Sequence, residues 1–434
     1  MEFQSDMKTR NAKLALAIGI ALSSPKLYAA GFQLSEHSAA GLGRANAGEA
    51  AIADGASVVA HNPAAITMFD SYQLSVGAAY IMPEVRVTGN GPSESFNNQL
   101  TNNDVVDNVV VPSFYIAVPI NDSWSWGLGI FTDFGLATEY PDDYLAGPIG
   151  GETSLETINF NPTIAYRIND EFSVGVGASI VYGKAKLTRT LGILADAINA
   201  DTGANFARTD IAKSLDGDGW GYGFNLGALW EINGKHRFGL SYRSKVDVDF
   251  EGDYYSDIPS AISMPGETVT GDLTLNLPSI TEFSGFHQIT DPLAIHYSVM
   301  MTGWDVFEEI RATVDGQEVL QKDENFENAF KYAFGATYQL NPSFTLRAGI
   351  AYDETPNVND KSISLPDSDR INYSFGATYA FNQNSRIDFG FTFIDAEEVT
   401  FTEPLEPHAL PGVDIAYRSE GDAYIYGIQY NHSF

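Results

Sequence analysis

The chain has 434 residues, with 24 Lys and Arg against 56 Asp and Glu for a net charge of −32, and it contains no cysteine. That charge excludes a nucleic-acid partner, because phosphate binding needs basic surface that releases counterions; the missing thiols exclude a disulfide scaffold and a thiolate metal site. At 44% hydrophobic and 12% aromatic, the composition also excludes intrinsic disorder, and no Pro/Ser-rich linker or charge block divides the chain, so one large domain is expected.

The first element is an export signal. Lys8, Arg10 and Lys13 precede the apolar run Leu14 to Leu22, and Leu27-Tyr28-Ala29 ends in a small residue, which predicts a secretory signal peptide over residues 1–29 and a mature chain that starts at Ala30. No later apolar run approaches the ~20 residues of a spanning helix. The mature protein is therefore either soluble or a membrane β-barrel. Residues 30–70 follow, rich in Gly and Ala, without alternation and too short to build a core of their own.

From Ser71 onward a single pattern repeats: about ten alternating residues, then a turn. Tyr72, Leu74, Val76, Ala78 and Tyr80 share one face and Gln73, Ser75, Gly77 and Ala79 the other. Trp124 to Ile130, Phe172 to Tyr182 and Tyr222 to Trp230 repeat it. A soluble sandwich would turn Lys and Glu outward, but here the second face is mostly Gly, Ser, Thr, Asn and Ala, with the isolated charges Arg243, Lys245, Asp247, Asp249, Arg347, Asp353 and Asp388 expected to point inward. Bulky residues outward and small polar ones inward describe a transmembrane barrel.

Short turns at Asn121-Asp122, Asn169-Asp170, Asn233-Gly234, Asp291-Pro292, Asn341-Pro342 and Asn382 to Ser385 alternate with seven longer connections, roughly 89–108, 140–152, 190–218, 252–270, 315–327, 354–369 and 403–418. They predict an all-β fold, a fourteen-stranded antiparallel barrel over residues 71–434 with periplasmic turns and extracellular loops. Fourteen strands enclose a lumen that would leak, so residues 30–70 are expected to form a helical hatch inside it, with Asn62-Pro63-Ala64 as a rigid turn whose Asn caps a short helix.

Within this frame three groups of residues draw the eye. Leu191, Ile193, Leu194, Ala197 and Ile198 in one outer loop, and Ile258, Ile262 and Met264 in another, either form an apolar binding surface or pack on each other. Arg189 falls on the lumenal face of the fifth strand, where it would hold a carboxylate or pair with a lumenal Asp. His296 also faces the lumen and reads as a hydrogen-bonded filler. No nucleophile motif, phosphate loop or metal-ligand spacing is present, so no catalytic residue, metal or cofactor is expected.

The stretches AGFQLSEHSAAGLGRANAGEAAIADGASVVAHNPAAITMFD (Ala30–Asp70), FGLATEY (Phe134–Tyr140), YRSKVDVDFEGDYYSDI (Tyr242–Ile258), LTLNLP (Leu273–Pro278), DPLAIHYS (Asp291–Ser298) and SISLPDSDR (Ser362–Arg370) resemble the FadL family, the long-chain fatty acid transporters of the Gram-negative outer membrane. The resemblance runs the length of the mature chain. It implies a hatch-closed barrel of fourteen strands, capture of hydrophobic substrates by extracellular loops, a lumenal pocket, and sideways exit beside a kinked third strand.

Residue by residue, it implies carboxylate binding by Arg189, which ends the pattern of Tyr182, Ala185 and Lys186, and by Lys322 within LQKDENF. It further implies a lateral gate at Gly135, Leu136 and Ala137, and a hatch that shifts near Phe32 on substrate binding. The expected partners are long-chain fatty acids or other hydrophobic small molecules, with outer-membrane lipid and lipopolysaccharide around a monomer. Relatives that admit uncharged aromatic hydrocarbons supply the alternative substrate; an outer-membrane enzyme would need a site the sequence lacks, and the hatch argues against an open porin.

Overall fold

The computed structural model describes residues 31–260, 263–405 and 413–434. The expected signal peptide and Ile262 lie outside these residues. Fourteen barrel strands run antiparallel: β1 (Gln73–Gly89), β2 (Val109–Pro119), β3 (Trp124–Phe131, resumed as Gly135–Thr138), β4 (Glu152–Arg167), β5 (Phe172–Thr190), β6 (Ile211–Asn233), β7 (His236–Arg243 and Val246–Tyr255) and β8 (Thr268–Leu277 and Ser279–Gln288). They continue with β9 (Leu293–Gly303 and Glu309–Val314), β10 (Gln317–Asp323 and Ala329–Asn341), β11 (Phe344–Asp353), β12 (Arg370–Ala380), β13 (Ser385–Ala396 and Val399–Pro404) and β14 (Asp414–Ser433). Each pairs with the next, and β14 returns to β1 from Gln73↔Ser433 to Gly89↔Tyr417, so the sheet closes without an edge. Among the described residues no helix is long and apolar enough to cross a membrane.

The short turns share one device. The side-chain oxygens of Asn121, Asn169, Asn233, Asn341 and Asn382 each accept from the amides two and three residues ahead, at 2.8–3.0 Å. An Asn side chain thereby imitates the backbone of the next turn residue and fixes the hairpin register. At this end the outward face carries an aromatic belt, with Trp124 against Tyr166 at 4.7 Å and Phe172 stacked on Trp230 at 5.8 Å, which suits a membrane interface. The strands at the other end are longer than expected: β6 begins at Ile211 and β7 reaches Tyr255, so the connections there are 191–210 and 256–267.

The alternation does not run unbroken along every strand. In β7, Arg243 points inward, Ser244 is also buried, and from there Val246, Val248 and Phe250 are the buried side chains while Lys245, Asp247 and Asp249 are exposed. The expectation that these three charges face the lumen is thus corrected. One residue outside the ladder reverses every side chain beyond it. The same reversal occurs in β3, where Phe131 is inward before the break and Leu136 lines the lumen after it, and in β8 across Pro278, with Leu275 and Leu277 buried on one side and Glu282 and Ser284 on the other. The wall consequently exchanges its faces. Toward the short turns its outside is apolar and its lumen polar; beyond the breaks its outside is polar and its lumen apolar.

Residues 31–70 fill the polar half. Ser38 caps α1 (Ala39–Leu42) by accepting from Gly41 N at 2.8 Å, and α2 (Val58–His61) leads into a 3-10 helix over Pro63–Met68. Asn62 accepts from Ala64 N at 2.9 Å and donates Nδ2 to Ala50 O and to Ala228 O of the wall. Proline opens the 3-10 turn where no amide donor is needed. The lumenal glycines fit this insert: a Cβ at Gly227 would overlap Asn62, one at Gly175 would overlap Pro63, and one at Gly239 would overlap Ala50 O. Small residues there make room for backbone, which is why so many glycines face inward.

A buried ion network fixes the hatch centrally. Arg44, 2% exposed, donates to Glu49 Oε1 at 2.6 Å, Asp54 Oδ2 at 2.5 Å and Ala47 O at 2.9 Å. Glu49 also faces His61 Nε2 at 2.8 Å, and Asp54 lies 3.7 Å from Arg347 of β11, which reaches Asp388 of β13 at 3.7 Å. Burial alone would raise the Glu49 carboxyl; Arg44 and His61 outweigh that and hold it at about 2.

Candidate functional site

The apolar half of the lumen holds a cavity lined by Phe32, Leu136, Leu155, Leu187, Phe250, Leu275, Phe307, Ile310, Leu320 and Leu365, with Thr153, Lys186, Asp216, Asp253 and Asp272 among them. The leucine, isoleucine and phenylalanine part of the lining is the apolar surface an acyl or aromatic substrate needs. The face reversals in β3, β7 and β8 supply Leu136, Phe250 and Leu275. Phe32 stands edge-on to Trp304 at 4.6 Å and to Phe307 at 5.2 Å, so the start of the hatch is part of the cavity wall.

Phe32 is held there from both sides. Gly31 adopts φ +60°, where a Cβ would lie 2.6 Å from the Trp304 ring, and its N donates to Asp367 Oδ2 at 3.0 Å. Burial pushes the Asp367 carboxyl above its ordinary value, against the opposing pull of Arg370. Phe32 O accepts from Gly135 N at 2.9 Å and Leu34 N donates to Asp133 O at 2.7 Å, so the hatch strand pairs with the interrupted segment of β3.

The two expected head-group cations do not themselves line the cavity; they lie behind its lining, Arg189 bonded to the lining residue Thr153 and Lys322 two residues from the lining residue Leu320. Arg189 is buried; Nη1 donates to Glu152 O and Thr188 O, both at 2.9 Å, and Nη2 to Thr153 Oγ1 at 2.8 Å and Ser364 Oγ at 2.9 Å. Lys322 donates to Ser362 Oγ at 2.7 Å and lies 3.0 Å from Glu324 and 4.0 Å from Glu403. Ser364 N in turn donates to Ser362 Oγ at 3.1 Å, which links the two cations through the Ser362–Ser364 segment. Glu324 is fully buried, and burial raises its carboxyl in spite of Lys322. Two cations and two carboxylates thus gather around the Ser362–Ser364 segment, with Arg189 lacking a carboxylate within 4 Å among the described residues.

The wall is interrupted beside this chamber. The β2–β3 ladder ends at Phe114↔Ile130, and Gly135–Thr138 pairs with β4 alone, so Val109–Ser113 of β2 has no partner on β3. The freed backbone is satisfied otherwise: His37 Nε2 lies 3.1 Å from Thr132 O, Asp133 O takes Leu34 N, and Thr157 Oγ1 donates to Phe134 O at 2.5 Å. Glu139 N donates to Val105 O at 3.0 Å and closes the opening on the outer side. Gly135, Leu136 and Ala137 stand immediately after the break, which falls at Thr132–Phe134, slightly earlier than expected.

The apolar loop residues mostly pack on one another. Leu191 and Leu194 are buried with Leu100, Tyr140, Tyr144, Ile363, Leu405 and Tyr417; Ile193, Ile198 and Ile258 lie partly buried against them, and Met264 is exposed. His296 bonds Thr337 Oγ1 at 2.9 Å and stacks on Phe286. Among the described residues no His/Asp/Glu group could hold a metal ion. Sequence reasoning missed Asp367, Trp304, Thr153, Glu324, Glu403 and the serines at 362 and 364. Asp367 and the serines stood inside a stretch that was noticed only for its resemblance, and the reversal at Ser244 left no mark in the pattern, because Val246, Val248 and Phe250 keep the same alternation as Tyr242 while their side chains turn from outside to lumen.

Residues 20–434 match the family described as outer membrane protein transport protein (OMPP1/FadL/TodX). The chain is 39% identical to the long-chain fatty acid transport protein of Escherichia coli K12 over 98% of its own length and 99% of the relative's. It is 38% identical to outer membrane protein P1 of Haemophilus influenzae over 99% and 100%. Among solved structures, a Pseudomonas aeruginosa FadL homologue superposes with a TM-score of 0.83 at 23% identity, covering 93% of this chain and 100% of that one. The Pseudomonas putida toluene transporter TodX superposes at 0.67 and 16%, over 92% and 98%. The closed barrel with its internal hatch, the apolar chamber and these likenesses have one reading: the chain is an outer-membrane transport protein and belongs to the OMPP1/FadL/TodX family.

Proposed function

We propose that the protein takes up long-chain fatty acids: the outer loops collect them, the apolar chamber binds them with the carboxylate near Arg189 and Lys322, and they leave sideways through the interruption in β3. The observation that carries this reading is the apolar chamber with Arg189 bonded to its lining residue Thr153 and a break in the wall beside its lining residue Leu136. A carboxylate in such a chamber gains charge-assisted hydrogen bonds while its tail leaves water. Asn62-Pro63-Ala64 keeps the direct path to the periplasm blocked, and displacement of Phe32 joins the chamber to the break past Gly135, Leu136 and Ala137. Export itself follows from cleavage after Ala29: N-terminal sequencing of the outer-membrane fraction is expected to begin at Ala30, and a mature protein that keeps Lys8 to Lys13 would contradict it.

The binding test is Arg189→Ala. Oleate affinity is expected to fall by about 1.5–3 kcal/mol, as for a hydrogen bond to a charged group, while binding of an uncharged hydrocarbon of similar length barely changes. Equal losses for both ligands would make Arg189 a support for Thr153 and Ser364 only. A second reading, uptake of uncharged hydrocarbons, is favoured by one feature: the donors of Arg189 already engage protein oxygens, and Lys322 is already matched by Glu324.

A further inference from the structure

A second cavity, lined largely by polar and charged residues, lies behind the N-terminal strand. Phe32 lines the apolar chamber, whereas Gln33, Leu34 and Ser35 line this one, so the hatch strand is the partition between them. Both spaces meet the interruption in β3, the first through Leu136 and the second through Asp133. The charges facing the polar cavity are unevenly matched. Glu49 is held by Arg44 and His61, Asp133 by His37 at 3.3 Å and Arg243 at 3.6 Å, and Glu282 takes the hydroxyls of Ser284 and Ser298 at 2.7 and 2.8 Å. Arg243 also donates to Ser179 Oγ and Ala60 O.

Lys331 differs from these. Its side chain is 8% exposed, and its nearest acceptors are Ser35 Oγ at 3.5 Å and Asp353 at 3.7 Å, the latter shared with Arg370. An ammonium group has three donors to place, and both contacts lie at the limit of hydrogen-bonding distance. The same cavity holds three further buried polar atoms, His37 Nδ1, Asn225 Nδ2 and Asn46 Oδ1, with no hydrogen-bond partner among the described residues. Glu282 and Lys331 occupy one row of the wall with Met300 between them, which separates them by two strand spacings, about 10 Å.

We propose that this polar cavity is a second head-group site, where Lys331 takes the carboxylate of a fatty acid as its tail passes from the apolar chamber through the break in β3. The inference rests on the fatty acid reading above. A carboxylate drawn sideways without a counter-charge would be stripped of water beside the bilayer at a cost of several kcal/mol; a loosely held ammonium behind the partition removes that barrier without adding a tight trap.

Lys331→Gln in the whole barrel tests it, with Lys331→Arg as the charge-keeping control and heat-modifiable migration as the check on folding. Oleate uptake is expected to drop roughly tenfold or more, the equivalent of one charge-assisted hydrogen bond, while uptake of oleyl alcohol holds steady and Lys331→Arg restores the rate. Oleate uptake at the wild-type rate in Lys331→Gln, or equal loss of acid and alcohol, overturns the proposal alone. A wild-type barrel that takes up no oleate overturns the fatty acid reading and this site with it. A measurement without substitution uses crystals soaked in 2-bromopalmitate, whose bromine marks the head: anomalous density beside Lys331 supports the site, and density confined to the Arg189 end contradicts it.

Discussion

Deleting Thr132–Phe134 is expected to abolish oleate uptake while leaving the barrel folded and able to bind oleate. The three residues are the whole of the break: before it Phe131 points inward, and after it Leu136 does. Removing an odd number of residues brings the two halves into one phase, with Phe131 inward, Gly135 outward and Leu136 inward, so the third strand can pair with Val109–Ser113 throughout. A substrate confined to the lumen would then have to cross the hatch into periplasmic water. Its tail would lose roughly 0.8 kcal/mol for every methylene rehydrated, a prohibitive sum for a long chain. Release into the bilayer avoids that loss, and it needs a place where the wall lacks its ladder. Labelled oleate uptake by cells carrying the deletion checks this; a folded variant that transports normally would mean that the substrate passes the hatch instead.

Arg44→Met is expected to loosen the hatch and destabilise the protein by about 3–5 kcal/mol, the loss seen when one partner of a buried ion pair is removed and the other stays charged. Arg44 is nearly inaccessible and contacts two carboxylates, so Glu49 would be left with His61 alone. The Glu49 carboxyl is depressed in the folded protein to about 2, so its contribution is fully present above the ordinary carboxylate range and is lost as pH falls from that range through about 2. Wild-type heat modifiability is therefore expected to hold from neutral pH down to the ordinary carboxylate range and to weaken below it, and the variant to unfold at lower temperature at neutral pH. An unchanged unfolding temperature in Arg44→Met would show that the glycine-lined fit of Asn62-Pro63-Ala64 against the wall, rather than charge, secures the hatch.

Much of the barrel was legible because its two faces meet different surroundings. Where Phe172, Val174 and Val176 meet lipid and Ser173 and Gly175 meet the hatch, alternation with period two is forced, and Asn at the turns marks each hairpin. The outer half was less legible. There the lumen is apolar and the outside polar, so β7 keeps the same alternation while its faces exchange, and reading one phase through Ser244 placed Lys245, Asp247 and Asp249 on the wrong side. The break in β3 was sought at a glycine, whereas it rests on Thr132–Phe134, whose backbone is satisfied by His37, Leu34 and Thr157. Such partners, from residues 23 to 99 positions away, leave no local signal. Arg189 was visible from its place on the inward face of β5; that its two terminal nitrogens would be engaged by Glu152, Thr153, Thr188 and Ser364 depended in part on a loop folding over the rim.

The chamber's chemistry turns on whether its cations serve a carboxylate. The most direct measurement is uptake of labelled oleate and labelled toluene by a Gram-negative strain that lacks its own fatty acid transporter and carries this gene. Rapid oleate uptake that depends on the gene and falls in Arg189→Ala, with toluene entry no faster than in the empty strain, is the expected result. Gene-dependent toluene entry with no uptake of oleate would contradict it and assign the chamber to uncharged hydrocarbons.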